Sequence, residues 1–331
     1  MDALRFRVLI LAGPTACGKT ALSLRLAQKF PIEIINADMG QFYAPCNIGT
    51  AKPDWRNQSV KHHLFDMVDT PKDISVVAYR NKVIQVVREI EGRGNIPLLV
   101  GGSFFYLSSL FFPPHEKSAS SSDPEPVKKQ YENVTAAELW EELNTVDPVR
   151  AAALHQNDRY RIVRALTLWH TSHVLPSSQT PSYQPPFSAL FLVLTPPRDE
   201  LYEKIDKRTH EMFDTPHGWI QEAQHLYGTE WETFLRQKKL IGYPEIFDWI
   251  VAGARQEELE KLIASIQQAT RKYAKRQITF WRRLRIMLEN EAKKNARECT
   301  VIEIDTVTDT VFEQLIRSIN NFVFTSKETN E

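Results

Sequence analysis

The chain has 331 residues, 42% hydrophobic and 25% charged, and its 41 Lys plus Arg balance 41 Asp plus Glu, so the net charge is zero. That length suits one large domain with an insertion, or two domains. The composition is that of a soluble globular protein, no apolar run approaches the length that spans a bilayer, and neutrality gives no global sign of nucleic-acid binding while leaving room for a local basic patch.

The first strand is expected at 6–12, where Val8-Leu9-Ile10-Leu11 follows a short charged lead without the plan of a signal peptide; a cytoplasmic protein is expected. Further short apolar runs at 32–37, 97–101, 188–194 and 300–305 alternate with amphipathic stretches. This βαβ plan predicts an α/β fold, a P-loop NTPase-like, mostly parallel sheet with helices on both faces. The alternation breaks after Pro113-Pro114, where a Ser- and Pro-rich run, Lys117 to Pro126, reads as an exposed connection. Helical signals follow: Thr135-Ala-Ala-Glu138 has the form of a capping box, and Asp147-Pro148 sets an N-cap with proline at the first helical position. A helical insertion is therefore expected at 114–184, splitting the core into 1–113 and 185–331. The last strand leads into an amphipathic helix around Val311 to Phe322. Cys17, Cys46 and Cys299 form no CxxC pair, which argues against a disulfide framework or a zinc site and fits a reducing compartment.

Gly13-Pro14-Thr15-Ala16-Cys17-Gly18-Lys19-Thr20 matches G-x-x-x-x-G-K-[ST], directly after the first strand and before a helical stretch. In that context backbone N–H groups and a helix N-terminus converge on phosphate oxygens. Lys19 adds a charge and the Thr20 hydroxyl can ligate Mg2+. Cys17 reads as a small loop residue. A P-loop ATPase usually carries an acidic residue at the end of a later strand, but Pro97-Leu-Leu-Val-Gly-Gly-Ser103 ends in glycines and a serine. A carboxylate comes instead from the second strand, whose carboxyl end lies at the ligand crevice. Asp38 is thus placed to act as a base or to reach a metal through water. His62 and His63 are adjacent on an extended segment and point to opposite sides, so a structural role is expected of them.

Arg271, Lys272, Lys275, Arg276, Arg282, Arg283 and Arg285 supply a run of positive charge inside an expected basic helix at 269–288. On a helix, Lys272, Lys275, Arg276, Thr279 and Arg283 share one side, while Tyr273, Phe280, Trp281, Leu284 and Leu288 share the side expected to pack on the core. Arg159, Arg161 and Arg164 make a second basic cluster in the insertion. Basic segments beside a phosphate-gripping crevice suggest a polyanionic partner.

These pieces resemble the tRNA dimethylallyltransferases, also called tRNA isopentenyltransferases, over nearly the whole chain. The likeness rests on the P-loop, Asp38 with Gln41 and Tyr43, Ile48-Gly-Thr-Ala-Lys-Pro53, Val100-Gly-Gly-Ser103 with Tyr106-Leu107, Asn157-Asp158 with Arg161 and Arg164-Ala-Leu166, Ile241-Gly-Tyr243, and Lys275-Arg-Gln-Ile-Thr279 with Trp281-Arg282. The resemblance implies a prenyl transfer from dimethylallyl diphosphate to N6 of an adenosine beside the anticodon. It implies Mg2+ as cofactor and the tRNA anticodon arm as partner; no membrane partner and a monomer are expected besides. The P-loop residues would hold the diphosphate, Asp38 would take the N6 proton, Thr20 would position Mg2+, and Lys19 with Arg208 would neutralise the leaving group. Asp38, Met39, Gly40, Gln41, Ser103, Tyr160, Arg161, Ile162, Val163, Arg164, Lys239, Leu240, Ile241, Gly242, Tyr243, Pro244, Lys275, Arg276, Gln277, Ile278, Thr279, Phe280, Trp281 and Arg282 match the tRNA-contact positions. The chain departs from the family at Met39-Gly40, where a Ser usually follows the Asp, and at Ser103-Phe104, where Thr-Gly is usual. By its P-loop alone it would also suit a small-molecule kinase, by its adenine chemistry a prenyltransferase acting on free nucleotides, and by its basic helix a non-enzymatic tRNA-binding module.

Overall fold

A computed structural model describes residues 6–114, 125–179, 181–214, 218–294 and 299–324. The Ser- and Pro-rich run lies outside these residues as far as 124, as does the start of the chain before residue 6. Two compact units are present, Met1–Phe111 with Pro185–Glu331, and Phe112–Gln184.

In the first unit, β1 (Arg7–Ala12) leads through the P-loop into α1 (Lys19–Ala27), followed by β2 (Ile32–Asn36), β3 (His62–His63), α2 (Val76–Gly92), β4 (Ile96–Gly101) and α3 (Phe104–Phe111). The second unit holds α4 (Glu125–Gln130), α5 (Ala136–Val146), α6 (Pro148–Ala152) and α7 (Arg159–Ser172). The chain then returns to the first unit with β5 (Ser188–Leu194), α8 (Arg198–Glu211), α9 (Trp219–Leu226), α10 (Glu230–Lys238), α11 (Tyr243–Val251), α12 (Leu259–Lys294), β6 (Cys299–Ile304) and α13 (Asp309–Phe324).

The strands form one six-stranded sheet in the order β3-β2-β4-β1-β5-β6, and every pairing is parallel. Parallel strands buried on both faces need apolar residues throughout, and Ala189-Leu-Phe-Leu-Val-Leu194 in β5 is buried along its length. Alternation divides the faces. Leu9, Leu11, Leu190 and Leu192 join Leu22 and Leu26 of α1 and Phe312, Leu315 and Ile319 of α13 in one core. On the opposite side the Phe191 ring lies 5.3 Å from Phe111 of α3 and 6.1 Å from Trp281 of α12.

β3 is the strand that periodicity does not announce. Two residues are too few to show an alternation, and the strand exists because Ile34 and Ile35 offer their edge to His62 and His63. The neighbouring side chains turn opposite ways, as expected: His62 Nδ1 bonds Val60 O at 2.7 Å, while His63 Nε2 meets Glu33 Oε2 at 2.6 Å. Among the described residues no cluster of His, Cys, Asp and Glu is suited to a metal.

The insertion builds its own core from Tyr131, Leu139, Leu143, Ala151, Leu154, Ile162, Ala165 and Leu166. Its helix starts are written in the sequence. Thr135 accepts from Glu138 N while Glu138 accepts from Thr135 N, and Asp147 caps α6 with Pro148 at its first turn. Among the described residues no helix is long and apolar enough to cross a membrane.

Candidate active site

Because β4 lies between β2 and β1, the carboxyl ends of these strands bring the P-loop, Asp38 and Ser103 to one crevice. Gly18 has φ 93 and stands directly before α1, a left-handed turn that aims the first helical N–H groups back into the loop. Lys19 Nζ donates to Gly13 O at 3.0 Å and Pro14 O at 2.7 Å, and lies 3.7 Å from Cys17 Sγ. From α8, Arg208 Nη2 donates to Thr15 Oγ1 at 2.5 Å. Among the described residues Arg208 Nε is buried without a hydrogen-bond partner. A buried guanidinium donor left unpaired is costly unless a ligand completes it, so the loop and Arg208 together make a cradle suited to an anion.

Asp38 is fixed by its neighbours. Asn36 Oδ1 accepts from Asp38 N at 2.8 Å, Asn36 Nδ2 donates to Asp38 O at 3.2 Å, and Tyr79 Oη donates to Asn36 O at 3.0 Å. Among the described residues its carboxylate takes a single hydrogen bond, from Gly40 N at 3.2 Å, which caps the short 3-10 turn Met39–Phe42. Burial raises the Asp38 pKa, against the pull of Lys19, Gly40 N–H and Arg208. The same burial lowers that of Arg208, against Asp38 and Cys17. Ser103 Oγ accepts from Met39 N at 2.9 Å and ties the end of β4 to the Asp38 turn.

A cavity of about 230 Å³ opens beside this turn, lined by Met39, Gly102, Ser103, Phe104, Phe105, Tyr106, Tyr273, Arg276, Gln277 and Phe280. Its walls are chiefly aromatic, and Phe105 is 49% exposed at its rim. α12 runs past with two faces. Lys272, Lys275, Arg276, Thr279, Arg282 and Arg283 are exposed, whereas Ala274, Gln277, Trp281, Leu284 and Leu288 are buried. Tyr273 and Phe280, expected on the core side, are half-buried and line the cavity instead, because they flank the buried stripe. Arg271 and Arg285 are engaged in ion pairs, with Asp206 and with Glu289 and Glu303.

The expected tRNA-contact positions divide by accessibility. Gln277 is only 5% exposed, and its amide takes Thr15 N at 2.9 Å and gives to Gly102 O at 2.8 Å. Trp281 is buried, stacked on Phe104 at 5.5 Å, with Nε1 donating to Glu303 Oε1 at 2.7 Å. Gly40 is buried and Gln41 spends its amide on Thr50 O and Ala51 O. In the segment from Lys239 to Pro244, Lys239 is exposed, Leu240, Ile241 and Pro244 are half-buried, and Gly242 and Tyr243 are buried. This segment reaches the Asp38 turn, since a Cβ on Gly40 would lie 3.6 Å from Leu240 Cδ1. Ile278 is half-buried. In the insertion Tyr160, Arg161 and Arg164 are exposed, Val163 is half-buried, and Ile162 belongs to that unit's core. Arg159 is structural, its guanidinium donating to Tyr131 O, Glu132 O and Val134 O.

Sequence reasoning did not single out Glu222. Its carboxylate accepts from Asn47 N and Ile48 N at 2.8 Å and Gly49 N at 3.0 Å, and from Tyr243 Oη at 2.6 Å, holding the Ile48-to-Pro53 loop against α11. An acid in α9 meeting backbone N–H groups some 170 residues away leaves no local pattern.

For Mg2+, the oxygen of Thr20, exposed at the start of α1 beside the P-loop, is the kind of donor that ion takes together with substrate phosphates and water. The residues present fit such a site.

The crevice and sheet define the class, a P-loop-like α/β fold carrying a helical insertion. Comparison with known proteins narrows it. The IPP transferase family model matches residues 41–284. A tRNA dimethylallyltransferase of Geobacter sulfurreducens is 35% identical over 84% of this chain and 89% of its own. That of Anoxybacillus flavithermus is 30% identical over 96% of both. Among solved structures, a eukaryotic dimethylallyltransferase acting on tRNA gives a TM-score of 0.75 at 25% identity, covering 96% of this chain and 79% of that one. A tRNA isopentenylpyrophosphate transferase of Bacillus halodurans gives 0.60 at 26% identity, covering 96% and 97%. The chain belongs to the IPP transferase family.

Proposed function

We propose that the protein transfers a dimethylallyl group from dimethylallyl diphosphate to N6 of an adenosine beside the tRNA anticodon, giving N6-isopentenyladenosine and diphosphate. The observation that carries this reading is one carboxylate, Asp38, set between an anion cradle and an aromatic cavity, in a chain of this family.

The P-loop N–H groups, Lys19 and Arg208 receive the diphosphate, with Arg208 Nε supplying a donor that no atom of the described residues uses. An adenine flipped out of its stack enters the cavity, whose lining includes the aromatic side chains of Phe105, Tyr273 and Phe280. N6 attacks the first prenyl carbon, the carbon–oxygen bond breaks, and its electron pair leaves on the diphosphate. Asp38 takes the N6 proton; the burial that raises its pKa makes it a stronger base than an exposed carboxylate. Mg2+, held by Thr20 and through water by Asp38, would neutralise charge on the diphosphate oxygens. Lys275, Arg276 and Arg282 on α12, and Arg161 and Arg164 with Tyr160 on α7, hold the anticodon arm by its backbone. The protein acts as a monomer in the cytoplasm.

The test is digestion of unmodified tRNA after incubation with the protein, dimethylallyl diphosphate and Mg2+. The reading predicts N6-isopentenyladenosine at the nucleoside beside the anticodon. Prenylation elsewhere, or none, contradicts it.

A further inference from the structure

Gln277 occupies an unusual place for a residue on a basic helix. It projects from the buried side of α12, opposite the exposed lysines and arginines, and lines the aromatic cavity. Its Oε1 accepts from Thr15 N at 2.9 Å and its Nε2 donates to Gly102 O at 2.8 Å, so one amide joins the P-loop, the end of β4 and α12. The fit is close: a Cβ on Gly102 would lie 2.4 Å from Gln277 Nε2 and 3.0 Å from Gly13 O. Thr15 is held a second time, through its hydroxyl, by Arg208 of α8. α8 and α12 are themselves tied, by the Arg271–Asp206 ion pair and by Gln267 Nε2 donating to Asp206 O at 3.0 Å. Any shift of α12 is therefore felt at Thr15 by two routes, and a base in the cavity would touch the same amide that holds the P-loop.

We propose that Gln277 is a positioning residue that couples tRNA engagement to diphosphate binding, transmitting the seating of α12 and of the cavity's occupant to the P-loop through Thr15. It touches the loop rather than the reacting atoms. The inference rests on the assignment of the P-loop to the diphosphate. Because coupling is reciprocal, tRNA tightens diphosphate binding by the factor with which diphosphate tightens tRNA.

The experiment measures the affinity of Mg2+ and inorganic diphosphate by calorimetry with and without saturating unmodified tRNA, for the wild type, Gln277→Met and Gln277→Glu. Methionine keeps the volume and loses both hydrogen bonds; glutamate keeps the acceptor for Thr15 N and loses the donor to Gly102. In the wild type tRNA should tighten diphosphate by a factor on the order of 5 to 150. In Gln277→Met the factor, a ratio taken within the one folded variant, should fall toward one while the melting temperature drops because Thr15 N and Gly102 O lose their partner, and in Gln277→Glu the factor should fall between. A coupling factor preserved in Gln277→Met, or a wild type that binds diphosphate equally with and without tRNA, overturns the proposal. A wild type that binds no diphosphate overturns the P-loop assignment itself and the proposal with it.

Discussion

Asp38 carries the sharpest demands at the scale of single residues. If its carboxylate takes the N6 proton, Asp38→Asn should lower kcat/KM by about 10² to 10⁴-fold while leaving tRNA affinity nearly unchanged, as filter binding and initial rates would report. An equal loss of binding would assign Asp38 to recognition instead. Its pKa is raised from 3.8, with burial as the leading cause. As pH falls through that raised value the base is protonated, so activity should drop along an acidic limb lying above the ordinary carboxylate range, a limb absent from Asp38→Asn. The residues whose place at the crevice could be read from sequence were those with a local pattern, the P-loop and a carboxylate at a strand end. Gln277 was legible only in part. Its spacing from Ala274 and Trp281 places a polar residue on a buried stripe, but the partners Thr15 and Gly102 come from the loops that follow β1 and β4, far away in sequence.

For the elements, α12 works as a two-faced bar. Its outer face, read as binding the tRNA backbone, predicts that Lys275→Ala or Arg276→Ala weakens tRNA binding and lowers the slope of log affinity against log salt by about one for each phosphate no longer neutralised. Titrations at several salt concentrations check this, and an unchanged slope would make the face merely solvated. On the inner face Trp281, 2% exposed and stacked between Phe104 and Phe191, should cost about 3–5 kcal/mol when replaced by alanine, measured by urea unfolding. Periodicity gave the two faces because a helix repeats its pattern over many turns. It could not give β3, whose two residues hold no period.

Across the whole molecule, the parallel sheet and helical insertion followed from strands alternating with amphipathic stretches, and from capping signals that the structure uses as written. What knits the sheet's far edge was not legible, because Glu33 gathers three partners from two separate segments. Its carboxylate takes Arg93 Nε at 2.9 Å, Asn95 Nδ2 at 2.7 Å and His63 Nε2 at 2.6 Å, joining β2 to β3 and to the turn before β4. Burial by itself would raise its pKa, yet these hydrogen bonds and the Arg93 charge bring it from 4.5 to about 2. A depressed folded pKa contributes stability that is fully present above the unfolded value and is lost as pH falls from 4.5 toward 2. Urea midpoints across that range should show the loss, and Glu33→Gln, less stable at neutral pH, should show less of it.

A P-loop that serves a prenyl diphosphate and a basic helix that serves tRNA can be checked together by following labelled dimethylallyl diphosphate with Mg2+ into unmodified tRNA and into free AMP, beside an ATP phosphotransfer assay on the same preparation. Label should enter tRNA alone, with no phosphate transfer. Label on AMP, or ATP turnover without prenyl transfer, would contradict that pairing.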